Sequence, residues 1–230
     1  MSPIESNLQH VRACINAAIA RLPREQQQPV TLVAVSKAKP VVELRGAFAA
    51  GQRAFGENYV QEAVAKIEEM SDLRTQGLLW HFIGPLQSNK AGQVARLFDW
   101  MHTIDRLKIA QSLSAHRHGL PPLNVCLQIN VSGEASKSGV APAEARALAD
   151  QIAALPALKF RGLMAIIENT PDESAQRMQF RMMHQLFDEF IRGGHAIYTL
   201  SMGMSHDYGV AIEEGATMVR VGSAIFGARP

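Results

Sequence analysis

The chain has 230 residues, of which 47% are hydrophobic and 19% are charged, a balance that is typical of a globular protein with one sizeable core. Its formal net charge of +2 is too small to indicate nucleic acid or an acidic membrane as a partner. Because no apolar run approaches the roughly 20 residues of a membrane span, and the first residues lack the layout of a secretion signal, we expect a cytoplasmic protein.

The predicted elements begin with an amphipathic helix and continue as an alternation of short apolar strands and helices. Apolar side chains recur at helical spacing from Ile4 to Leu22, and Pro23 ends the pattern. Helical stretches, several of them ending in glycine, separate the strands that follow. The predicted strands cover residues 30–37, 53–58, 78–84, 100–105, 123–130, 159–167, 198–204 and 217–227.

Strands that alternate with helices are the pattern of parallel β/α units, and a count of eight favours a closed barrel over an open sheet. The sequence has no composition break or Gly/Ser-rich linker, so residues 1–230 are predicted to form one domain. The predicted fold class is therefore α/β, a single (β/α)8 TIM barrel with an extra N-terminal helix. In such barrels, functional groups lie where the strands run into the following loops.

Disulfide and metal chemistry have little support in the sequence. Cys14 and Cys126 are each flanked by apolar residues, and no Cys-x-x-Cys spacing occurs, so we expect two buried free thiols. The eight histidines are spread along the chain, and none has the His-Glu-x-x-His spacing of a zinc site. We predict no metal.

An unexpected residue closes the first predicted strand, where the run LVAVS is followed by Lys37. If alternation turns this face inward, the amine lies at the barrel mouth, where burial depresses the pKa of a lysine and makes it a nucleophile toward carbonyl groups. The alternative is a lysine that extends from the strand end into solvent. Lys39 has the same phase and precedes Pro40, so the residues alone leave open which amine is special.

The last two predicted strands carry groups suited to a phosphate. Arg220 and Gly222 share a phase in the final strand, next to Ser223, and the preceding strand ends in Ser201 and Gly203. An inward arginine needs an acceptor because it cannot be deprotonated, and the loops after strands seven and eight are the usual phosphate site of this fold. The alternative is that the glycines only form tight turns. An amine opposite a phosphate site suits a ligand with both an aldehyde and a phosphate, such as pyridoxal 5'-phosphate (PLP).

Several motifs, in the right order over most of the chain, resemble the YggS/PROSC family of pyridoxal-phosphate-binding proteins. The motifs are VAVSKAKP, FGENYVQEA, WHFIGPLQSNK, SKSG, RGLMAI, LSMGMS and MVRVGSAIFGAR. The resemblance implies a barrel of the alanine racemase N-terminal domain type, without the second domain of that enzyme. It also implies a carrier or regulator in PLP homeostasis, without robust catalysis, that meets PLP-dependent apoenzymes transiently.

The resemblance further implies a set of cofactor-binding residues, namely Lys37, Asn58, Ser201, Met202, Gly203, Arg220, Gly222 and Ser223. By this resemblance Lys37 carries PLP as a Schiff base and Asn58 lies beside the cofactor. The serines and glycines of the set, with main-chain groups near Met202, hold the phosphate. Arg220 faces the pyridine nitrogen, where a permanent cation keeps the nitrogen unprotonated and makes the ring a weaker electron sink.

Three positions have open roles. His206 stands where family members usually carry an acidic residue, and we expect it to change the local charge or the cap of the next helix rather than contact the Schiff base. Lys137, in a polar loop after strand five, is expected to be solvated, although a loop amine near the mouth could also take up PLP. Asn58 could also cap the next helix, with Gln61 completing a capping box.

Two enzyme functions stand as alternatives to a PLP carrier. An amino-acid racemase needs acid/base groups on both faces of the substrate carbon, and the tyrosines of this chain are Tyr59, Tyr198 and Tyr208. A Schiff-base aldolase acting on a sugar phosphate would use the same lysine and phosphate loops without a coloured cofactor. Because we see no second domain to complete a racemase-like dimer site, we expect a monomer.

Overall fold

A computed structural model describes residues 2–133 and 138–228 of the chain, and the strands in these ranges close into a barrel. The strands are β1 (Thr31–Val35), β2 (Ala54–Glu57), β3 (Leu79–Phe82), β4 (Trp100–Ile104), β5 (Leu123–Ile129), β6 (Leu158–Ala165), β7 (Thr199–Ser201) and β8 (Met218–Val221). Each strand pairs in parallel with the next, and β1 pairs with β8, which places Val33 beside Arg220. The closed barrel confirms the predicted (β/α)8 TIM barrel.

Helices connect successive strands, as parallel neighbours require. The α-helices of the described ranges are α1 (Pro3–Ala20), α2 (Val41–Ala49), α3 (Val60–Glu69), α4 (Ala91–Leu97), α5 (Leu107–His116), α6 (Pro142–Ala153), α7 (Glu173–Arg192), α8 (Tyr208–Glu213) and α9 (Ser223–Phe226). Short 3-10 turns lie at Arg24–Gln26, Ser71–Gln76 and Ser88–Lys90. In the part of the chain that the structure describes, no helix has both the length and the apolar character of a membrane span.

The predicted extra N-terminal helix is α1, which packs against α2, α8 and α9. A capping box fixes its start, because the Glu5 backbone N–H donates to Ser2 Oγ at 3.2 Å and the Ser2 N–H donates to Glu5 Oε2 at 3.3 Å. Farther along the helix, Asn7 Nδ2 donates to the carbonyl oxygen of Ile225 at 2.9 Å. Thus α1 is tied to the helix that follows the last barrel strand.

The main apolar core lies between the barrel strands and the surrounding helices, where Phe82 of β3 meets Phe98 at the end of α4 edge to face. The interior of the barrel is partly polar. Nδ1 of His102, on β4, lies 3.0 Å from Oγ of Ser201, on β7. Because β4 and β7 are not neighbours in the barrel, this contact crosses the interior.

All eight strands end earlier than predicted, and two of these ends bear on the site. The first strand stops at Val35, because Ala38 adopts a φ of +58° that no strand can continue. The last strand stops at Val221, and residues Ser223–Phe226 form the short helix α9 in place of the predicted strand end. Strand alternation therefore does not decide the direction of Lys37, which lies in the turn after β1.

Candidate functional site

A cavity of about 380 Å³ opens where the strands run into their following loops, and this volume lies in the range typical of small-molecule sites. The mouth of the barrel is the position at which this fold holds its functional groups. The lining includes five of the predicted site residues, which are Lys37, Asn58, Arg220, Gly222 and Ser223. The cavity therefore brings together residues that are up to 186 positions apart in the predicted set, from the first loop to the last.

The two lysines of the first loop both line this cavity, in different settings. Lys37 is half-buried and is the second residue of a four-residue turn formed by residues 36–39. Lys39 Nζ donates to the carbonyl oxygens of Phe226 and Ala228, at 2.8 and 3.0 Å. The amine of Lys39 is therefore bound to the backbone at the end of α9, and it would have to leave both carbonyls to react.

Arg220 reaches the cavity from β8 while almost fully buried. Its Nη1 donates to Ser201 Oγ at 2.7 Å, and its Nη2 donates to the carbonyl oxygen of Ala165 at 2.9 Å. Burial lowers the pKa of Arg220 to about 10, and the negative charge of Asp207 acts in the opposite direction. The guanidinium therefore stays charged at neutral pH and is held by neutral oxygen acceptors.

A chain of hydrogen bonds continues from Arg220 into the barrel. Arginine only donates, so Ser201 Oγ accepts from it, and the same oxygen lies 3.0 Å from His102 Nδ1. His102 Nε2 in turn lies within hydrogen-bonding distance of His81 Nδ1, at 2.9 Å. The chain ends at His81 Nε2, which is buried and has no hydrogen-bond partner in the described ranges.

The two histidines of this chain are neutral. Burial lowers the pKa of His81 to about 3. Burial, followed by the nearby His81 and the positive charge of Arg220, lowers the pKa of His102 well below its usual range. His81 also stacks on Trp100, with ring centroids 5.5 Å apart. This position makes His81 a core histidine rather than a base.

The residues of the loop after β7 differ in their access to the cavity. Ser201 and Met202 are fully buried, and the cavity lining in the described ranges includes neither of them nor Gly203. Their predicted contacts with a phosphate stay predictions. Ser205 lines the cavity, and its Oγ accepts from the backbone N–H of Gly222 at 3.2 Å. The sequence reasoning missed Ser205, although the motif LSMGMS offers this second hydroxyl.

Asn58 lies just after β2 and lines the cavity. Its Oδ1 is buried without a hydrogen-bond partner among the described residues, and such an atom is costly unless a ligand or water satisfies it. The alternative role as a helix cap is wrong, because the N-cap of α3 is Tyr59 and no side chain caps that helix. The backbone of Asn58 is packed so closely on Gly84 that a side chain at Gly84 would clash with its carbonyl oxygen.

Glycine is also needed at the end of β8, for a steric reason. A Cβ on Gly222 would lie 3.1 Å from the carbonyl oxygen of Val35 and 3.2 Å from its Cβ. Val35 lines the same cavity, so the glycine lets two neighbouring strand ends approach each other at the wall of the cavity.

The remaining open positions lie at the edge of the site or outside the described residues. His206 is exposed and lines the outer part of the cavity, and the N-cap position of α8 belongs to Asp207 rather than to His206. Asp207 Oδ1 accepts from the backbone N–H of Met204 at 2.5 Å and thereby fixes the loop. Lys137 lies outside the described residues.

The structure describes both cysteines, together with side chains of the types that ligate metals. Both cysteines are free, and the prediction of a buried thiol is confirmed for Cys126 and wrong for Cys14, which is partly exposed in α1. Burial raises the pKa of the Cys126 thiol to about 12. Within residues 2–133 and 138–228, no three His, Cys, Asp or Glu side chains are grouped so that they could hold a metal ion.

Solved structures with the same fold include two of PipY from Synechococcus elongatus PCC7942. The structure of PipY with PLP bound has a TM-score of 0.83 and 37% sequence identity, and the match covers 97% of this chain and 100% of PipY. The structure without PLP has a TM-score of 0.85 at 38% identity, with the same coverage. Alanine racemase from Clostridium difficile 630 shares the fold alone, with a TM-score of 0.69 and 17% identity over 97% of this chain and 58% of the enzyme.

Sequence comparisons also match this chain to the alanine racemase N-terminal domain, and they find relatives at higher identity than the solved structures. Residues 6–230 match the family described as the alanine racemase N-terminal domain. The pyridoxal phosphate homeostasis protein of Pseudomonas aeruginosa is 54% identical over 100% of this chain and 97% of its own length. The protein of the same name from Escherichia coli K12 is 53% identical over 100% of this chain and 98% of its own length. The chain therefore belongs to the family of pyridoxal phosphate homeostasis proteins, which is built on the alanine racemase N-terminal barrel.

Proposed function

We propose that this protein binds PLP at the barrel mouth as a Schiff base on Lys37 and acts as a carrier or regulator in PLP homeostasis, without robust catalysis. The observation that carries the proposal is the placement of a lysine and a buried, permanently charged arginine in one cavity of about 380 Å³. The family relationship and the PLP-bound relative PipY support the same ligand.

The donor set around the cavity fits the three parts of PLP. A primary amine, from Lys37, suits the aldehyde. The hydroxyls of Ser205 and Ser223, with backbone groups beside Gly222, suit the phosphate. Arg220 suits an unprotonated ring nitrogen because it can only donate. When bound, PLP supplies an aldehyde that captures amines and a ring that withdraws electrons.

The same residues favour holding the cofactor over turning over an amino acid. A cation facing the ring nitrogen keeps the ring a weak electron sink, which suits holding the cofactor, or a narrow racemase-like chemistry, better than broad carbanion chemistry. A racemase also needs a second acid/base group across the substrate carbon. Of the residues that the structure describes as lining the cavity, none is a tyrosine, and Tyr59 and Tyr198 are mostly exposed. These features support a binding role.

We also propose that the protein works as a cytoplasmic monomer that passes PLP transiently to PLP-dependent apoenzymes. The described lining of the cavity supplies the amine, the arginine and the serine hydroxyls that the proposed site uses, which supports a monomer as the working unit. A cavity at the open mouth of the barrel also leaves the cofactor accessible to a recipient.

The test is to load the purified protein with PLP, reduce it with borohydride and map the modified lysine by peptide mass spectrometry. We expect a visible absorption band before reduction and a reduced adduct on Lys37. Lys39→Ala serves as the matched control, and it keeps the adduct on Lys37 if that assignment is right. A protein that takes up no PLP, or an adduct on Lys39 in the unmodified chain, would contradict the proposal. Turnover of alanine or another amino acid at enzymatic rates would contradict the carrier role.

A further inference from the structure

A buried group of charged side chains lies directly behind the turn that carries Lys37. We propose that Glu57, Glu62 and Lys66, called here the ion cluster, form a positioning device that fixes this turn and so sets the direction of the Lys37 amine into the cavity. The inference rests on the proposed function, because it treats Lys37 as the PLP-binding lysine.

The turn needs support because its backbone is unfavourable. The N–H of Lys39 donates to the carbonyl oxygen of Ser36 at 3.1 Å, which closes a four-residue turn with Lys37 second and Ala38 third. Ala38 has a φ of +58°, and it is the one residue other than glycine with positive φ in the described ranges. A turn of this kind normally places glycine at the third position. Alanine there is strained, since its Cβ crowds the backbone.

The ion cluster contacts the peptide groups on both sides of Lys37. Before it, Lys66 Nζ donates to the carbonyl oxygen of Ser36 at 2.7 Å. After it, the N–H of Ala38 donates to Glu62 Oε1 at 2.6 Å. Because both flanking peptide groups are bound to side chains of α3, the Lys37 backbone cannot rotate without breaking a charge-assisted hydrogen bond.

The three charged residues are also bound to one another. Lys66 Nζ lies 2.8 Å from Glu57 Oε1 and 2.6 Å from Glu62 Oε1. Ser36 Oγ donates to Glu57 Oε1 at 2.6 Å, so the residue before Lys37 is held by its side chain as well as by its carbonyl. Glu57 and Ser36 are fully buried and Lys66 is 5% exposed. Water therefore has little access to the contacts among Ser36, Glu57 and Lys66, whereas the hydrogen bond from Ala38 to Glu62 is exposed.

The ion cluster is better explained by the geometry that it fixes than by the stability that it adds. Two carboxylates share one ammonium, and Glu57 Oε2 has no hydrogen-bond partner in the described ranges. Buried ion pairs of this kind often add less stability than apolar residues of the same volume would. What they do supply is fixed geometry, and the groups they fix here are those on either side of Lys37.

The experiment compares Glu62→Ala with Glu62→Gln, and Glu68→Ala on the exposed face of the same helix is the matched control. Glu62 is preferred over Lys66 because its side chain is 29% exposed, and its removal leaves the buried Glu57–Lys66 pair intact. The first readout needs no cofactor, since it is the hydrogen exchange rate of the Ala38 amide in PLP-free protein. The second is the rate at which loaded protein releases PLP to an excess of an amine trap, followed by visible absorption.

We expect Glu62→Ala to speed up both Ala38 amide exchange and PLP release by about tenfold, the effect of losing one charge-assisted hydrogen bond. Glu62→Gln keeps an oxygen acceptor for the Ala38 N–H, so both of its rates should stay closer to those of the unmodified protein. The control Glu68→Ala should have the same rates as the unmodified protein. If Glu62→Ala exchanges faster at Ala38 yet releases PLP at the unmodified rate, the inference is wrong. Equal acceleration by Glu62→Gln and Glu62→Ala would also overturn it. If the unmodified protein binds no PLP, the proposed function is wrong instead. The Ala38 exchange rates are measured without PLP, so they still test the ion cluster in that case and the two failures can be told apart.

Discussion

Replacing Ser201 with alanine distinguishes a residue that supports Arg220 from a residue that binds phosphate. The hydroxyl accepts from Arg220 Nη1 at 2.7 Å and lies 3.0 Å from His102 Nδ1. Ser201→Ala leaves both groups buried without this partner, at a cost of about 1–3 kcal/mol for each. We therefore expect a loss of about 2–6 kcal/mol, a large part of the roughly 5–15 kcal/mol that usually separates folded from unfolded protein.

The measurement is thermal unfolding of the PLP-free protein, followed by circular dichroism. For a chain of this length, each kcal/mol lowers the melting temperature by about 2–4 °C, so we expect a decrease of about 4–24 °C. Ser223→Ala is the matched control, because Ser223 is exposed at the cavity. It should change stability by less than about 0.5 kcal/mol and weaken PLP binding instead.

The opposite pattern would refute the reasoning. If Ser201→Ala melts like the unmodified protein and binds PLP more weakly, then Ser201 is a phosphate ligand, as the family resemblance implies. In that case the hydrogen-bond chain from Arg220 to His81 does not contribute to the fold.

Further predictions concern packing and pH. Gly84→Ala forces a Cβ against the carbonyl oxygen of Asn58, and we expect a loss of about 1–3 kcal/mol in urea unfolding. Gly46→Ala, inside α2 with no described atom within 4 Å of the new Cβ, should instead gain about 0.5–1 kcal/mol, and the reverse order would contradict the packing argument. Burial lowers the pKa of His81 to about 3 and lowers that of His102 in the same direction, so both are neutral in the folded state and become protonated in the unfolded chain below about pH 6.5. The folded state should therefore lose about 1.4 kcal/mol per pH unit for each histidine as the pH falls below about 6.5, and equal urea stabilities at about pH 7 and about pH 5.5 would refute this.

The sequence predicted the order of elements well because strand and helix periodicity are local signals. The eight strands, the N-terminal helix and the place of Arg220 and Gly222 at the mouth all follow from such patterns. The end of β1 was missed because nothing local marks alanine as the residue that takes a positive φ. Ala38 does so through contacts with Glu62, which is 24 positions away.

In the candidate site too, local sequence patterns could not predict contacts between residues that are far apart in the chain. The predicted strand end placed Ser201 near the mouth, but its hydroxyl contacts Arg220 and His102, which is 99 positions away across the barrel. Contacts of this length have no local signal, and the choice between Lys37 and Lys39 was open for the same reason. Lys39 meets its carbonyl partners at Phe226 and Ala228, near the other end of the chain.

The way in which Arg220 is held has a consequence for how quickly a ligand arrives and leaves. In the described ranges its hydrogen-bond partners are a hydroxyl and a carbonyl, and no carboxylate is among them. Oriented neutral dipoles stabilise the cation without cancelling it, and the negative charge of Asp207 offsets only part of its field. The mouth therefore presents a positive potential to an approaching anion. Capture of a doubly charged phosphate ester is then accelerated by attraction over a distance and slows as salt screens that attraction. If PLP is held as the proposed Schiff base on Lys37, its release requires breaking a covalent bond and is expected to be nearly insensitive to salt. Fast, charge-steered uptake and slow, chemically controlled release are the kinetic properties that a reservoir requires.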